Sequence, residues 1–353
     1  MSKLSQVRQQ ILDAKKLDAI VILSDFNRRY LSGFTGTSGA LIISQQQNIL
    51  ITDFRYIKQA TEQATDFEII NRTHNLITEV KQVLLDKGFS IIGFEGHLVS
   101  YDTYKSLQDN TITFSSIANE IETIREIKSS AEIDLIKEAA HIVDDTYNYI
   151  LTVAKAGMTE KEIKALLESK MLHLGADGPS FDTIVASGYR GALPHGVASD
   201  KIIEQGDMIT LDFGAYYHGY CSDITRTFGI GKPKAQLEEI YNIVLESQQL
   251  AINQIKAGMT TQQADALARD YIDKHGYGDA FGHSLGHGIG LDIHEGPLLS
   301  KNTNNTLKVN NCVTIEPGIY VEGLGGVRIE DDILITENGC EVFTKCTKDL
   351  IIL

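Results

Sequence analysis

Four acidic residues in the second half of the chain have the types and surroundings to do chemistry. Asp212 stands in Leu211-Asp-Phe-Gly214, Asp223 in Ser222-Asp-Ile-Thr225, Glu316 in Ile315-Glu-Pro-Gly318 and Glu330 in Val327-Arg-Ile-Glu330. Each is expected within an apolar strand, where an unpaired charge is costly. With strand periodicity, Thr210 and Asp212 oppose Ile209, Leu211 and Phe213, and Asp223, Thr225 and Thr227 share a face. Thr314 and Glu316 likewise oppose Val313 and Ile315, and Arg328 and Glu330 oppose Val327 and Ile329. Any one of these acids alone would be an ordinary salt-bridge partner. Four together need more positive charge than Arg328 and nearby Arg226 offer, and divalent cations shared between carboxylates meet that need.

Histidines cluster in the same part of the sequence. His283, His287 and His294 fall in the glycine-rich stretch Phe281–Glu295. His283 and His287 have the spacing of helix-borne zinc ligands, but Gly286, Gly288 and Gly290 disfavour a helix and no HExxH is present. The glycines are expected to allow close backbone approach to a bound group. His195, in Pro194-His-Gly196, sits in a turn-like segment further upstream.

The elements that must position these residues repeat. Lys155-Ala-Gly-Met-Thr159 recurs as Lys256-Ala-Gly-Met-Thr260, an offset of 101 residues. Each copy opens a helix through a capping box, Thr159 with Glu162 and Thr260 with Gln263, and each helix ends near a glycine, Gly175 or Gly276. Asp207–Gly214 then aligns with Asn311–Gly318 at an offset of 104, placing Asp212 on Glu316, while Asp223 falls near Glu330 at an offset of 107. Two related halves are expected to face one another, each supplying two carboxylates. A further capping box, Ser129 with Glu132, starts a helix running to about residue 154. Before a boundary near residue 125, strand-like runs (17–23, 40–44, 48–53, 90–96) alternate with helix-like stretches near 2–16, 54–64, 77–88 and 101–108. Gly33, Gly36 and Gly39 match no phosphate-binding motif and are expected in turns. The fold class is therefore α/β (α+β): a smaller α/β domain over 1–125 and a larger domain of two related halves over 126–353.

Composition narrows the partners. The 353 residues carry 32 Lys and Arg against 47 Asp and Glu, a net charge of -15 that repels nucleic acid. No apolar run is long enough to span a membrane, and the amino terminus lacks the apolar core of a secretory signal. Four cysteines without a CxxC pair point to a reducing, cytoplasmic compartment and to buried thiols.

These motifs resemble the pita-bread metallopeptidase family, which includes Xaa-Pro dipeptidase (prolidase), aminopeptidase P and methionine aminopeptidase. The resemblance covers the whole second domain, and no ligand position departs from the pattern. It implies that Asp212, Asp223, His287, Glu316 and Glu330 hold two divalent metal ions, with Asp223 and Glu330 bridging them. It assigns His195, His283 and His294 to substrate contact and proton handling, Arg328 to the active site, and a proton-shuttle role to Glu316. Four carboxylates with one imidazole favour Mn²⁺, with Co²⁺ or Zn²⁺ able to substitute. Residues 1–125, notably Arg29-Tyr-Leu-Ser-Gly-Phe-Thr-Gly-Thr-Ser-Gly39 and Thr52-Asp-Phe-Arg-Tyr56, look like the amino-terminal domain of the proline-specific branch. The implied protein is a homodimeric exopeptidase that takes small peptides and cleaves between an amino-terminal residue and proline. A metal-free creatinase-like amidinohydrolase and a non-enzymatic binding protein on the same fold are the alternatives, and both are expected to lack ligands that this chain keeps. The extra domain disfavours methionine removal; dipeptidase and aminopeptidase P are both left open.

Overall fold

Apolar, β-branched runs in the first third of the chain become the centre of a six-stranded sheet. The computed structural model describes residues 1–353 and divides them into two compact units, Met1–Arg125 and Glu126–Leu353. In the first unit the order is α1 (Lys3–Val7, continued by a wider π-type stretch Arg8–Asp13), β1 (Ala19–Ile22), α2 (Asp25–Ser32), β2 (Ala40–Ser44) and β3 (Asn48–Thr52). It continues with α3 (Ile57–Gln63), β4 (Glu68–Asn71), α4 (Leu76–Asp86), β5 (Ile91–Phe94), α5 (Tyr101–Leu107), β6 (Thr113–Ser116) and α6 (Glu120–Arg125). The strands run β4-β3-β2-β1-β5-β6, antiparallel in the central β1–β2–β3 meander and parallel outside it. Ile42, Ile49, Ile51 and Ile92 pack there against Val80 and Leu84 of α4.

The sequence pattern does not announce the edge strands β4 and β6, because both have exposed polar ends and only half-buried centres. Helix α2 is also unannounced. It stops at Gly33 in the left-handed region (φ 74°), and buried Arg28 donates back to Gly36 O at 2.7 Å and Gly39 O at 3.1 Å. The glycine run is thus a turn folded over a guanidinium.

The second unit begins with α7 (Ser130–Val153) and α8 (Glu160–His173). There follow β7 (Gly178–Pro179), β8 (Ile184–Ser187), β9 (Met208–Phe213), β10 (Ala215–Tyr217), β11 (Tyr220–Cys221) and β12 (Ile224–Gly229). Then α9 (Ala235–Gln254) and α10 (Thr261–Lys274) precede β13 (Gly286–Gly288), β14 (Glu295–Leu299), β15 (Cys312–Ile315), β16 (Gly318–Val321), β17 (Gly325–Arg328), β18 (Asp331–Ile335) and β19 (Cys340–Val342). All three capping boxes close, with the Ser or Thr accepting from the third helical amide and the Glu or Gln reaching back. In the repeated pentapeptide, Gly157 and Gly258 take the same left-handed turn, at φ 92° and 88°.

The repeat extends to the sheets. Strand β9 lies between β8 and β12, as β15 lies between β13 and β18, all antiparallel. The register sets Thr225 opposite Asp212 and Thr227 opposite Thr210, so one polar face gathers along β9 and β12. The expectation that all four acids lie within strands holds only for Asp212. Asp223, Glu316 and Glu330 occupy the breaks β11/β12, β15/β16 and β17/β18. Their amides have left the local ladders for other partners: Asp332 Oδ2 at 2.8 Å, Leu285 O at 2.8 Å and Thr225 O at 3.1 Å, respectively. A carboxylate at such a break is aimed by the chain's change of direction as well as by strand alternation.

Candidate metal centre

Asp212 leaves β9 on the threonine face, and Arg328 of β17 donates from Nη2 to its Oδ2. Thr225 ties the two halves together: its hydroxyl donates to Glu330 Oε2 at 2.6 Å and accepts from Arg328 Nε at 3.0 Å. His287, in β13, places Nε2 3.6 Å from Asp223 Oδ2 and 3.4 Å from Glu316 Oε1. Ligand atoms of Asp223, His287 and Glu330 all lie within 4.8 Å of one another. These residues, with Asp212, Glu316, His195, His283, His294 and Arg328, line a single cavity of about 640 Å³. Everything the sequence singled out for chemistry is in one place.

The cavity's electrostatics are unbalanced. Burial, reinforced by Glu330 and Asp212, pushes the Asp223 carboxyl well above its usual range. Burial with Glu316 and Asp212 does the same to Glu330, and burial pushes Glu316 up to about 8. Asp223 Oδ1 and Glu330 Oε1 are buried without any hydrogen-bond partner, a costly arrangement in a finished protein interior. The imidazole is prepared too. His287 Nδ1 faces Gly288 O at 3.1 Å, and a carbonyl only accepts, so the proton sits on Nδ1 and the Nε2 lone pair faces the acids. Burial lowers the His287 pKa and keeps the ring neutral. Orphaned carboxylate oxygens around one neutral imidazole suit hard divalent cations, so the residues present fit a metal.

A second chain of contacts borders the cage. His283 Nδ1 donates to Ser284 O at 2.8 Å, leaving Nε2 to accept from the Tyr320 hydroxyl at 2.8 Å. Tyr320 in turn accepts from Arg328 Nη1 at 2.7 Å. Burial, and then Arg328, lower the His283 pKa to about 4. Tyr320 is a site residue that the sequence reading missed. The available signal was the β16–β17 hairpin, which pairs Gly318 with Arg328 and Tyr320 with Gly326 and so makes Tyr320 and Arg328 diagonal neighbours on one face. A Cβ on Gly326 would come within 2.9 Å of the Tyr320 ring and 2.2 Å of Gly191 O, so only glycine leaves room. Exposed His294 lies with its ring centroid 4.5 Å from that of His287, and exposed His195 follows Pro194, whose carbonyl accepts from Arg328 at 3.2 Å.

Arg226 is turned away from the cage: it is fully buried on the other side of β12 from Thr225 and pairs with Asp331 at 2.8 Å, as the alternation of side chains along a strand requires. Strand packing by itself requires the glycines flanking His287, since a Cβ on Gly286 would lie 2.0 Å from Thr314 O and one on Gly288 2.0 Å from Gly296 O.

Comparison with known proteins agrees with this geometry. The model of metallopeptidase family M24 matches residues 134–337, and that of the Creatinase/Prolidase N-terminal domain matches residues 5–127. A protein named Xaa-Pro dipeptidase from Pyrococcus furiosus is 40% identical over 97% of each chain. The solved structure of an Xaa-Pro dipeptidase from Bacillus anthracis superposes with a TM-score of 0.97 at 49% identity, covering 99% of both chains. That of an X-Pro aminopeptidase from Thermotoga maritima superposes with a TM-score of 0.91 at 42% identity, covering 97% of this chain and 99% of that one.

Proposed function

The chain belongs to metallopeptidase family M24, and from that premise we propose that it is a dinuclear exopeptidase hydrolysing the bond between an amino-terminal residue and a following proline. The observation that carries this reading is the cage of four carboxylates and His287, with its orphaned oxygens on Asp223 and Glu330. Asp212, Asp223, His287, Glu316 and Glu330 would hold the two ions between them. Bound divalent cations supply a water of lowered pKa and polarise the scissile carbonyl. Glu316 takes the proton released on attack and passes it to the departing nitrogen. Arg328 grips Asp212 directly and orients Glu330 through Thr225. His195 and His294 contact substrate from the exposed side of the cavity. His283 stabilises the developing oxyanion, which requires it to give up its Tyr320 contact and to carry its proton on Nε2 in place of Nδ1.

A bond to proline has no N–H and a fixed φ, so the site must recognise the ring by shape. Phe181, Ile184, Pro194, Val197, Ile293 and Leu298 supply an apolar wall in the same cavity, whose volume suits a short peptide. Mn²⁺ is the proposed metal, given the oxygen-rich donor set. A cytoplasmic homodimer completes the proposal; the four cysteines form no disulfide, which supports a reducing compartment, and no helix is long and apolar enough to cross a membrane. The relatives' names include both a dipeptidase and an aminopeptidase, so two outcomes are distinguished by substrate length. The test is a panel of Ala-Pro, Met-Pro, Ala-Ala, Met-Ala and Ala-Pro-Ala with chelated and Mn²⁺-restored protein. Faster cleavage of the Xaa-Pro dipeptides is expected, with activity lost on chelation. Release of Ala from Ala-Pro-Ala assigns an aminopeptidase, preference for Met-Ala points to methionine removal, and equal rates on all five exclude proline specificity.

A further inference from the structure

Glu160, the first residue of α8, is completely buried yet does not line the cavity. Its carboxylate accepts from Ser187 N at 2.8 Å and Oγ at 2.9 Å, and from Ser199 N at 3.0 Å and Oγ at 2.6 Å. Ser187 and Ser199 bracket the segment that carries His195. Arg190, within that segment, donates to Glu160 Oε2 from Nε at 2.9 Å and to Val197 O from Nη2 at 2.6 Å. Val197 N in turn donates to His195 O at 2.9 Å. The histidine is therefore exposed on a segment pinned at both ends by one acid and across its middle by one arginine.

The other half holds His283 by the same means with different residues. Asp265 of α10, also buried, accepts from Leu285 N at 3.0 Å and from Arg269 Nε at 2.6 Å. Arg269 donates to Phe281 O at 2.9 Å and to His283 O at 2.6 Å. The two acids are not at equivalent positions of the repeat, so this arrangement is not a by-product of the repeated pentapeptide. Burying an ion pair is expensive, and a well-packed apolar pair holds a core together as well. What the charged fork adds is direction: the guanidinium plane fixes where the neighbouring carbonyls lie.

We propose that Glu160–Arg190 and Asp265–Arg269 are positioning pairs, holding His195 and His283 at their places beside the substrate. This rests on the peptidase reading of the cavity. Arg190→Met leaves Glu160 its serine donors and removes only the fork, so the metal content should be unchanged. It should lower kcat/KM about 10–100-fold, the scale of a misplacement near 1 Å. In a His195→Ala background the same change should cost less than about twofold, because the group it positions is gone. Arg269→Met should behave likewise with His283→Ala. Arg190→Lys, which keeps the charge and loses the planar fork, enters the same cycle if Arg190→Met does not fold. Equal losses in both backgrounds, or no loss in the wild-type background, would overturn the proposal. Should the wild-type protein cleave no peptide, the functional reading fails, and NMR of the imidazoles decides this one separately. Arg190→Met must then shift the His195 ring resonances and leave those of His294 in place; unmoved His195 resonances refute it.

Discussion

Glu330 and Asp331 are chain neighbours, both essentially inaccessible to solvent, and they sit in opposite electrostatic situations. Glu330 has one oxygen on Thr225 and the other on nothing, and its pKa is driven up by burial and by surrounding acids. Asp331 is saturated: it accepts from Arg226 Nη2 at 2.8 Å, Lys348 Nζ at 2.5 Å, Thr344 at 2.7 Å and Gln248 at 2.7 Å. Burial works against its ionisation, but Arg226 and Lys348 overcome that and lower its pKa. Arg226 also holds the carbonyls of Thr225, at 3.0 Å, and Glu330. The balanced cluster is scaffold, and it grips the backbone from which the unbalanced cluster projects. Buried charge left unneutralised by the protein marks the place where something else is bound.

The largest effect that could break this contrast is in the cage. Asp223→Ala or Glu330→Ala should abolish metal retention and turnover together, by elemental analysis and dipeptide hydrolysis; a variant that keeps full metal would remove that residue from the proposed cage. Asp331→Ala should instead cost about 3–5 kcal/mol of stability by stranding Arg226, read as a drop in the denaturant midpoint. The protein that remains folded should still take up metal. His283→Ala should keep both metal and stability and lose about 100–1000-fold in kcat. Metal release as complete as in Asp223→Ala would contradict its separate role. The smallest effect is a difference in sign. Groups with raised pKa, such as Glu316 near 8, stabilise the metal-free protein below the ordinary carboxylate range, and that contribution is lost as pH rises through the folded value. Asp331, with a lowered pKa, contributes above that range and loses its contribution only as pH falls. Melting scans with chelator should therefore show a Tm that declines from about pH 5 to about pH 8, and saturating Mn²⁺ should remove the decline. Parallel curves with and without metal would mean that the cage is not the source.

Much of the site could be read in the primary sequence because it is local. The acids sit in short motifs, the capping boxes need only four residues, and the repeated pentapeptide makes the same glycine turn twice. The edge strands β4 and β6 were hidden because they bury little of their own surface, and helix α2 because polar Asn27, Arg28 and Ser32 are among the residues it buries. Tyr320 was hidden for a related reason. Its hydroxyl is useful only because a hairpin pairs it diagonally with Arg328 and because Gly326 vacates the space its ring occupies.

Residue identity and spacing alone marked the acids and histidines as candidates for binding a metal, set the acids in two related halves, and placed a boundary near residue 125. Only the tertiary structure decided which acids are left unpaired. Glu330 and Asp331 carry the same charge one residue apart, but Arg226 emerges on one face of β12 and Thr225 on the other. The first neutralises Asp331 and the second offers Glu330 a single hydrogen bond. Electrostatic balance depends on distances of a few ångströms between residues about 100 positions apart, and Coulomb energy in a buried site is set by those distances. No local pattern contains them.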